Sequence, residues 1–275
     1  MSVSDSELSQ GGVAAVAVVT GAGRGMGRYC AERLRGRTDV LIAVDLEVPQ
    51  VEGAVGLACD VSDEAAVAGL VAQVREHGSF RALAHAAGIS PTMADARRMF
   101  DVDLVGTERL LRGFEDLVVP GSAAVCFSSM AAYQIAPFAD AALDALIDEP
   151  LVPDFLERIT SMVPDSGLAY ALAKRGVVRA CARAAVRWGA RGGRVTSVAP
   201  GIIDTPMGRQ ELEQQPIMSE MLEQVPLARL GQPDEVAAVA AFLLSDEGSF
   251  VSGIDVLVDG GLVQAQALGA APPTS

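Results

Sequence analysis

The stretch that decides the fold runs from Val13 to Gly27 and reads VAAVAVVTGAGRGMG. Its first half is a run of valines and alanines, which is typical of a strand buried on both faces of a parallel sheet. A glycine cluster by itself fits any tight turn, but this one stands between a predicted strand and a predicted helix. Glycines let the backbone approach a phosphate closely, and the start of a helix favours negative charge. We therefore predict a pyrophosphate-binding turn with the candidate residues Gly21, Gly23, Arg24, Gly25, Met26 and Gly27.

Strand and helix patterns alternate along the rest of the chain. Strands are predicted at 13–19, 40–45, 55–60, 81–86, 123–127, 194–198 and 255–258. Helices are predicted at 25–36, 62–77 (with Ser62 as N-cap), 94–118, 168–190 and 234–244. Such alternation is typical of a parallel sheet with helices on both faces. The predicted fold is α/β: a single-domain, Rossmann-type, doubly wound parallel sheet of about seven strands.

The domain is predicted to occupy residues 13–262, between a flexible tail at 1–12 and a C-terminal tail at 263–275. Two segments interrupt the alternation of strands and helices. An insertion at about 137–165 contains four prolines, and a segment at about 206–226 is rich in Met, Glu and Gln. Both follow predicted strands, where open α/β sheets bind their ligands.

The composition limits the possible partners. The net charge is −14, whereas nucleic acids and anionic membranes require clustered Lys and Arg, so we expect neither as a partner. Four cysteines lie far apart without a CxxC pair, which predicts buried free thiols in a reducing compartment and no metal site. The chain contains neither a signal peptide nor an apolar run long enough to span a membrane, so a cytoplasmic location is expected.

Asp45 ends the second predicted strand and is a candidate ribose ligand. A carboxylate there accepts hydrogen bonds from the adenosine ribose and repels a 2′-phosphate. Leu46 and Glu47 after it offer no positive charge to a 2′-phosphate, although Arg24 in the glycine turn does. We give the carboxylate more weight and predict NAD, with NADP less favoured.

Tyr170 and Lys174 occupy positions i and i+4 of a predicted helix and share one face of it. A free phenol has a pKa near 10, and a nearby ammonium together with an oxidised nicotinamide favours the phenolate. The pair taken alone also fits an ordinary surface pair. Ser128 and Ser129 end the fifth predicted strand, where a hydroxyl can orient a substrate oxygen.

Taken together, these motifs closely resemble the short-chain dehydrogenase/reductase family over residues 13–262. The further motifs that carry the resemblance are Asp60-Val61, YALAK at 170–174 and PGIIDT at 200–205. The resemblance implies Tyr170 as acid/base, Lys174 as the group that holds the nicotinamide ribose and lowers the phenol pKa, and Ser129 as the group that orients the substrate oxygen. It also implies cofactor contacts from Leu46, Asp60, Val61, Ala87, Gly88, Pro200, Gly201, Ile203 and Thr205. Members are usually dimers or tetramers, and we expect one of those states.

Three departures from the family pattern are present. The turn after the fourth strand reads His85-Ala86-Ala87-Gly88 instead of Asn-Asn-Ala-Gly, and we interpret His85 as structural. Asp103 replaces the asparagine that holds a relay water, so the relay either works through Asp103 or is weaker. The insertion widens the spacing between Ser129 and Tyr170, as in the bacterial 3α-hydroxysteroid dehydrogenase/carbonyl reductases. Its apolar residues could lie at a subunit interface, cover the pocket or form a surface excursion.

The leading hypothesis is an NAD(H)-dependent enzyme that interconverts an apolar, steroid-like or cyclic secondary alcohol and its ketone. Five residues of the 206–226 segment are candidates either for the apolar pocket wall or for simple packing: Met207, Ile217, Met218, Met221 and Leu222. One alternative is an NAD-binding sensor without turnover. Another is a reductase of quinones or acyl chains, which the acidic character of the 206–226 segment disfavours.

Overall fold

The computed structural model describes residues 13–138 and 140–269. Seven strands form one sheet in the order β3-β2-β1-β4-β5-β6-β7, and every neighbouring pair is parallel. The strands are β1 Ala15–Thr20, β2 Val40–Asp45, β3 Val55–Ala58, β4 Ser79–His85, β5 Ala123–Phe127, β6 Arg194–Pro200 and β7 Asp255–Val258. The predicted seven-stranded parallel sheet is confirmed.

Helices cover both faces of the sheet, as a doubly wound fold requires. They are α1 Gly25–Leu34, α2 Glu64–His77, α3 Ala96–Met99, α4 Gly106–Glu115, α5 Ala131–Ile135, α6 Ala141–Ile147, α7 Phe155–Met162, α8 Ser166–Gly189, α9 Pro206–Gln214, α10 Pro216–Glu223, α11 Pro233–Leu244 and α12 Leu262–Ala267. One apolar core lies between the sheet and α2, α4 and α8, and a second lies between the sheet and α1 and α11. None of the described helices is long and apolar enough to cross a membrane.

Strand order reverses between β1 and β4, because β1 continues to β2 and β3 on one side while β4 continues to β5 on the other. The first crossover therefore leaves a crevice at the carboxyl ends of these two strands, which is where open α/β folds bind ligands. A cavity opens there. The sheet topology thus positions the candidate site beside the glycine turn.

Most predicted boundaries differ from the structure by a few residues, and three segments need a different description. Asp63 rather than Ser62 caps α2, because the Asp63 carboxylate accepts a hydrogen bond from the Ala66 amide at 2.8 Å. The long helix begins at Ala96 and ends at Glu115, with a π-helical turn over Phe100–Val105 between α3 and α4. The chain beyond 262 continues as α12, whose Leu262 is fully buried, so the first residues of the predicted tail are helical. Residues 1–12 and 270–275 lie outside the described range.

The insertion forms two helices, α6 and α7, that pack against the same chain. Ile147, Phe155 and Ile159 are essentially fully buried with residues of α3, the π-helical turn and α8. Arginines of α8 hold α6 in place, since Arg175 donates two hydrogen bonds of 2.7 Å to Asp144. The insertion is therefore a packed layer of the domain rather than a surface excursion, and Tyr170 packs against the same apolar cluster.

Candidate active site

The glycine turn packs so closely that side chains are excluded at two of its positions. A Cβ on Gly27 would lie 2.1 Å from the Gly21 carbonyl oxygen, and one on Gly21 would lie 2.7 Å from the Ala87 amide nitrogen. Gly21 and Gly25 also have positive φ angles of 69° and 55°, which L side chains rarely adopt. The turn therefore exposes backbone to the cleft at the start of α1, as a pyrophosphate site requires.

Asp45 lies at the cleft and is held by backbone amides. Its Oδ2 accepts a hydrogen bond from the Gly23 amide and its Oδ1 one from the Leu46 amide, both at 2.8 Å. Asp45, Leu46 and Arg24 all line the cavity. The carboxylate that would repel a 2′-phosphate and the guanidinium that could bind one are therefore both present. The carboxylate is fixed against the glycine turn, and the residues present fit a dinucleotide cofactor.

The cavity wall beyond Asp45 contains a group that the sequence analysis missed. Asp60 and Val61 line the cavity, and so does Arg98 from α3, whereas the contact of Asp60 and Val61 with adenine stays a prediction. The Asp60 carboxylate accepts hydrogen bonds from the Ser62 hydroxyl at 2.7 Å and from Arg98 at 2.8 Å. Burial acts to raise the pKa of Asp60, but these hydrogen bonds together hold it below its usual value. Arg98 is 38 residues from Asp60, so only the fold brings them together.

Tyr170, Ser129 and Lys174 meet where β5 ends against α8. The Ser129 side chain is buried and lies beside the Tyr170 hydroxyl. The Lys174 ammonium lies 5.6 Å from the centre of the Tyr170 ring and donates to the Phe127 carbonyl at 3.2 Å. Ser128 instead donates to the Lys174 carbonyl at 3.1 Å, so it braces the helix. The residues of the predicted acid/base group are therefore assembled at one point.

The pKa of Tyr170 is raised, whereas the sequence analysis expected it to be lowered. Burial is the largest cause, the negative charge of Glu211 raises the pKa further, and the hydrogen bond with Ser129 acts in the opposite direction. That expectation included the charge of an oxidised nicotinamide as well as that of Lys174, so it stays a prediction for the complex, whereas in the protein alone a phenolate is poorly solvated in this pocket. Positive charge on a bound ligand would lower the pKa of Tyr170 and so oppose the effects of burial and of Glu211.

Asp103 reaches the site from the π-helical turn and is buried. Its Oδ1 accepts a hydrogen bond from the Ile89 amide at 3.0 Å and lies 3.6 Å from the Lys174 ammonium. Burial raises the pKa of Asp103, against the opposing charge of Lys174. Its Oδ2 is buried and has no hydrogen-bond partner among the residues that the structure describes, so whether the relay works through Asp103 or is weaker stays open. A Cβ on Gly88 would lie 2.9 Å from Asp103 and 3.1 Å from Lys174, so only glycine fits between them.

His85 links the first strand to the π-helical turn. Thr107 donates to the Asp103 carbonyl at 2.7 Å, so the same hydroxyl accepts from His85 Nε2 at 2.9 Å. His85 Nδ1 in turn accepts from the Thr20 hydroxyl at 2.7 Å, and Thr20 accepts from the Ala87 amide at 3.2 Å. Burial and the charge of Lys174 lower the pKa of His85 to about 3. His85 is thus a neutral structural residue, as the sequence analysis interpreted it.

The segment after β6 lies beside the glycine turn. Thr205 is buried, caps α9 through a 3.0 Å hydrogen bond from the Gly208 amide, and packs near the position of a Gly25 Cβ. Ile203 is buried and pairs with Gly231. Pro200 ends β6, and a Cβ on Gly201 would lie 2.7 Å from Asp259. The predicted cofactor contacts of Pro200 and Gly201 stay predictions, since the structure explains both residues by packing.

The 206–226 segment presents a carboxylate to the catalytic group. Three of its candidate pocket residues instead pack onto a small apolar core, as the alternative of simple packing predicted: Met218, Met221 and Leu222, against Met130, Ile202, Val225 and Leu262. Met207 lines the cleft. Glu211 on α9 is half-buried and lies near Ser90 and near the positive charge of Lys174. Burial raises the pKa of Glu211. Sequence analysis missed Glu211 because nothing in a helix rich in Glu and Gln distinguishes the inward residue.

No group of His, Cys, Asp or Glu residues suited to holding a metal ion occurs within residues 13–138 and 140–269. The four cysteines are buried and unpaired. The cavity at the glycine turn is also lined by Gly88, which lies beside Lys174. A glycine-lined cavity next to a Tyr170–Lys174 pair is typical of nicotinamide-dependent oxidoreductases built on a Rossmann-type sheet.

Comparison with known proteins assigns the family. The model of the family described as enoyl-(acyl carrier protein) reductase matches residues 21–145 and 157–263, with the gap inside the insertion. The uncharacterized short-chain type dehydrogenase/reductase y4vI of Sinorhizobium fredii is 34% identical over 93% of this chain. Meso-2,3-butanediol dehydrogenase of Serratia marcescens is 30% identical over 90% of this chain and 93% of its own length. The chain belongs to the short-chain dehydrogenase/reductase family.

A solved structure supports the same assignment. The 3-alpha-hydroxysteroid dehydrogenase of Pseudomonas sp. B-0831, complexed with NADH, is similar with a TM-score of 0.79 and 29% identity. The match covers 94% of this chain and 100% of that one. In contrast, this chain spans only 45% of the length of y4vI.

Proposed function

We propose that this protein is an NAD-dependent oxidoreductase that interconverts a secondary alcohol and a ketone. The observation that carries the proposal is the position of Lys174, which lies 5.6 Å from the centre of the Tyr170 ring and beside Gly88, a residue that lines the cavity at the glycine turn. NADH in the complex of the related hydroxysteroid dehydrogenase, and the diol named for the butanediol dehydrogenase, support the same reaction class.

The cofactor would be held by groups at both ends of the cleft. Asp45 would accept the hydroxyls of the adenosine ribose, and the backbone around Gly21 and the start of α1 would face the pyrophosphate. Lys174 would hold the nicotinamide ribose, and Thr205 and Ile203 would lie beside the carboxamide. When bound, NAD accepts a hydride from the substrate carbon. Fixation of Asp45 by the Gly23 amide favours NAD over NADP, because a 2′-phosphate would meet this carboxylate.

Tyr170 exchanges the proton with the substrate oxygen. In the oxidation direction its phenolate oxygen takes the alcohol proton as the alcohol carbon loses hydride, and in reduction the phenol returns a proton to the carbonyl oxygen. The Ser129 hydroxyl holds the substrate oxygen at the same point. Burial opposes the phenolate, so the charge of Lys174 and the positive charge that arrives with the oxidised cofactor are needed to form it.

The apolar body of the substrate would lie against the insertion. Leu143, Val152 and Leu156 are partly buried in the same cluster as Ile135 and Tyr170. These side chains support a cyclic or branched hydrocarbon framework next to the reacting carbon. The acidic outer surface of α9 and α10 disfavours docking of an acyl carrier protein. A cytoplasmic location and a dimeric or tetrameric state stay predictions.

The test is turnover. Purified protein is mixed with NAD or NADP and a panel of secondary alcohols that includes 3-hydroxysteroids, and absorbance of the reduced nicotinamide is followed. We expect turnover with NAD, and its loss in Tyr170→Phe while NAD binding is retained. Tight NAD binding without turnover of any alcohol would instead favour a binding-only sensor. Turnover that survives in Tyr170→Phe would contradict the proposed acid/base.

A further inference from the structure

Arg98 lines the cavity but has no role in the proposed reaction. Its guanidinium donates hydrogen bonds to three side chains: Asp60 at 2.8 Å, Ser62 at 2.6 Å and Asp101 at 3.0 Å. Asp101 belongs to the π-helical turn, whereas Asp60 and Ser62 follow β3, so the partners come from separate segments. A planar guanidinium with three such partners is held in one orientation, because a rotation breaks at least one of the bonds.

The same contacts fix both carboxylate oxygens of Asp60. Oδ1 accepts hydrogen bonds from the Ser62 amide at 2.9 Å and from the Ser62 hydroxyl at 2.7 Å, and Oδ2 accepts the one from Arg98. A carboxylate has about four acceptor positions, and the described residues occupy three of them. The position that remains is on Oδ2, the oxygen that Arg98 holds.

Asp60 lies where the base of a bound dinucleotide would extend. The glycine turn follows β1, and Asp45 ends β2, the next strand toward that edge of the sheet. Asp45 pairs with Ala58 of β3, so Asp60 follows a strand that is one further from the glycine turn. Gly21, Asp45 and Asp60 line one cavity. A dinucleotide with its pyrophosphate at the turn and its ribose at Asp45 would therefore direct its base toward Asp60.

A fixed carboxylate distinguishes bases by their exocyclic groups. An ionised carboxylate only accepts hydrogen bonds, so a base with an exocyclic amine can donate to Asp60. A base with a carbonyl in that place would bring two acceptors together. Burial acts to raise the pKa of Asp60, but the hydrogen bonds from Ser62 and Arg98 hold it below its usual value, so the carboxyl stays ionised at neutral pH.

We propose that Arg98 is a positioning residue for the cofactor: it holds Asp60 so that the free acceptor position on Oδ2 selects a dinucleotide whose base carries an exocyclic amine. Arg98 acts through Asp60 rather than by contact with the base. This inference rests on the proposed function and narrows it, from the binding of a nicotinamide dinucleotide to the means by which its other base is selected.

The experiment compares the binding of NAD and of nicotinamide hypoxanthine dinucleotide, in which a carbonyl replaces the adenine amine, by calorimetry with the purified protein. We expect the wild type to bind NAD about tenfold more tightly, a modest factor because the Asp60 side chain is 35% exposed and water competes for it. In Arg98→Met this affinity ratio should fall by about fivefold or more. In Asp60→Ala it should be near one, and addition of Arg98→Met to that variant should leave it unchanged.

Arg97→Met is the matched control, since Arg97 is the exposed neighbouring arginine of α3 and its loss changes the net charge equally. It should keep the wild-type ratio. Arg98→Lys keeps the charge but replaces the planar fork with one nitrogen, so its ratio should lie between those of the wild type and Arg98→Met. Arg98→Lys also serves as the test if Arg98→Met does not fold.

Equal affinities in the wild type, or an unchanged ratio in the folded Arg98 variant, would overturn this inference while leaving the proposed function intact. A further fall in the ratio when Arg98→Met is added to Asp60→Ala would show that Arg98 contacts the base directly, and would also overturn it. If the wild type bound neither dinucleotide, the proposed function would fail and this inference with it.

Discussion

The two sides of the cleft recognise their ligands by different means. On the cofactor side, glycines and backbone amides between Gly21 and Gly27 form a rigid turn, and Asp45 is fixed against it by a 2.8 Å hydrogen bond. On the substrate side, Ser90, Glu211 and the insertion come from distant parts of the chain and present side chains. Backbone recognition suits a ligand that the whole family shares, whereas side chains on separate segments can vary with the substrate.

The first prediction concerns a substitution that disrupts the glycine turn on the cofactor side of the cleft. Gly27→Ala would place a Cβ 2.1 Å from the Gly21 carbonyl oxygen, so the turn must open. We expect NAD affinity to fall more than about 100-fold, since the backbone can no longer approach the pyrophosphate. The measurement is NAD titration by calorimetry.

Gly69→Ala is the matched control for this change, because a Cβ there meets nothing within 4 Å in α2. It should keep NAD affinity and stabilise the helix by about 0.5–1 kcal/mol. Normal NAD affinity in folded Gly27→Ala would refute the role given to the turn.

The second prediction tests cofactor choice. Asp45→Ala combined with Leu46→Arg removes the ribose acceptor and adds a cation at the cavity wall. We expect the ratio of kcat/KM for NAD to that for NADP to fall by about 10- to 100-fold, since a hydrogen bond to a charged group is worth about 1.5–3 kcal/mol. A wild type that already prefers NADP would show that Arg24 rather than Asp45 decides the choice.

The third prediction concerns charge on the substrate side. Glu211 raises the pKa of Tyr170, so replacing it with Gln should lower that pKa. The rising limb of the pH profile for kcat/KM in alcohol oxidation should therefore move to lower pH, measured with cyclohexanol. A limb that stays in place, or moves to higher pH, would mean that Glu211 does not act on the base.

The fourth prediction concerns stability. The pKa of His85 is about 3 in the folded protein and ordinarily 6.5, so below pH 6.5 the unfolded chain binds a proton that the folded chain excludes. Unfolding therefore takes up a proton at His85, and the free energy of unfolding decreases as pH falls from 6.5 toward 3, at roughly 1 kcal/mol per pH unit. Urea unfolding of wild type and His85→Asn between pH 7 and pH 4.5 should show a shallower decline in the variant. Parallel declines would contradict the buried neutral imidazole.

Predictability follows the same division between the two sides. The sheet, the glycine turn, Asp45 and the Tyr170–Lys174 pair depend on local patterns, so the sequence was sufficient to locate them. The π-helical turn that buries Asp103, the pairing of Arg98 with Asp60 and the inward direction of Glu211 depend on contacts between distant segments. The cost of burying the Tyr170 phenol, which raises its pKa in the protein alone, also depends on such contacts and could not be predicted from the spacing of Tyr170 and Lys174.

The central claim is that hydride passes from the substrate carbon to the nicotinamide while Tyr170 takes the proton. The most direct measurement uses cyclohexane-1,2-diol and cyclohexanol deuterated at the carbinol carbons, with NAD and the purified protein, and mass analysis of the reduced nicotinamide. The account predicts one deuterium in the reduced cofactor from the wild type and no product from Tyr170→Phe. Reduced cofactor without deuterium, or labelled cofactor at the wild-type rate from Tyr170→Phe, would contradict it.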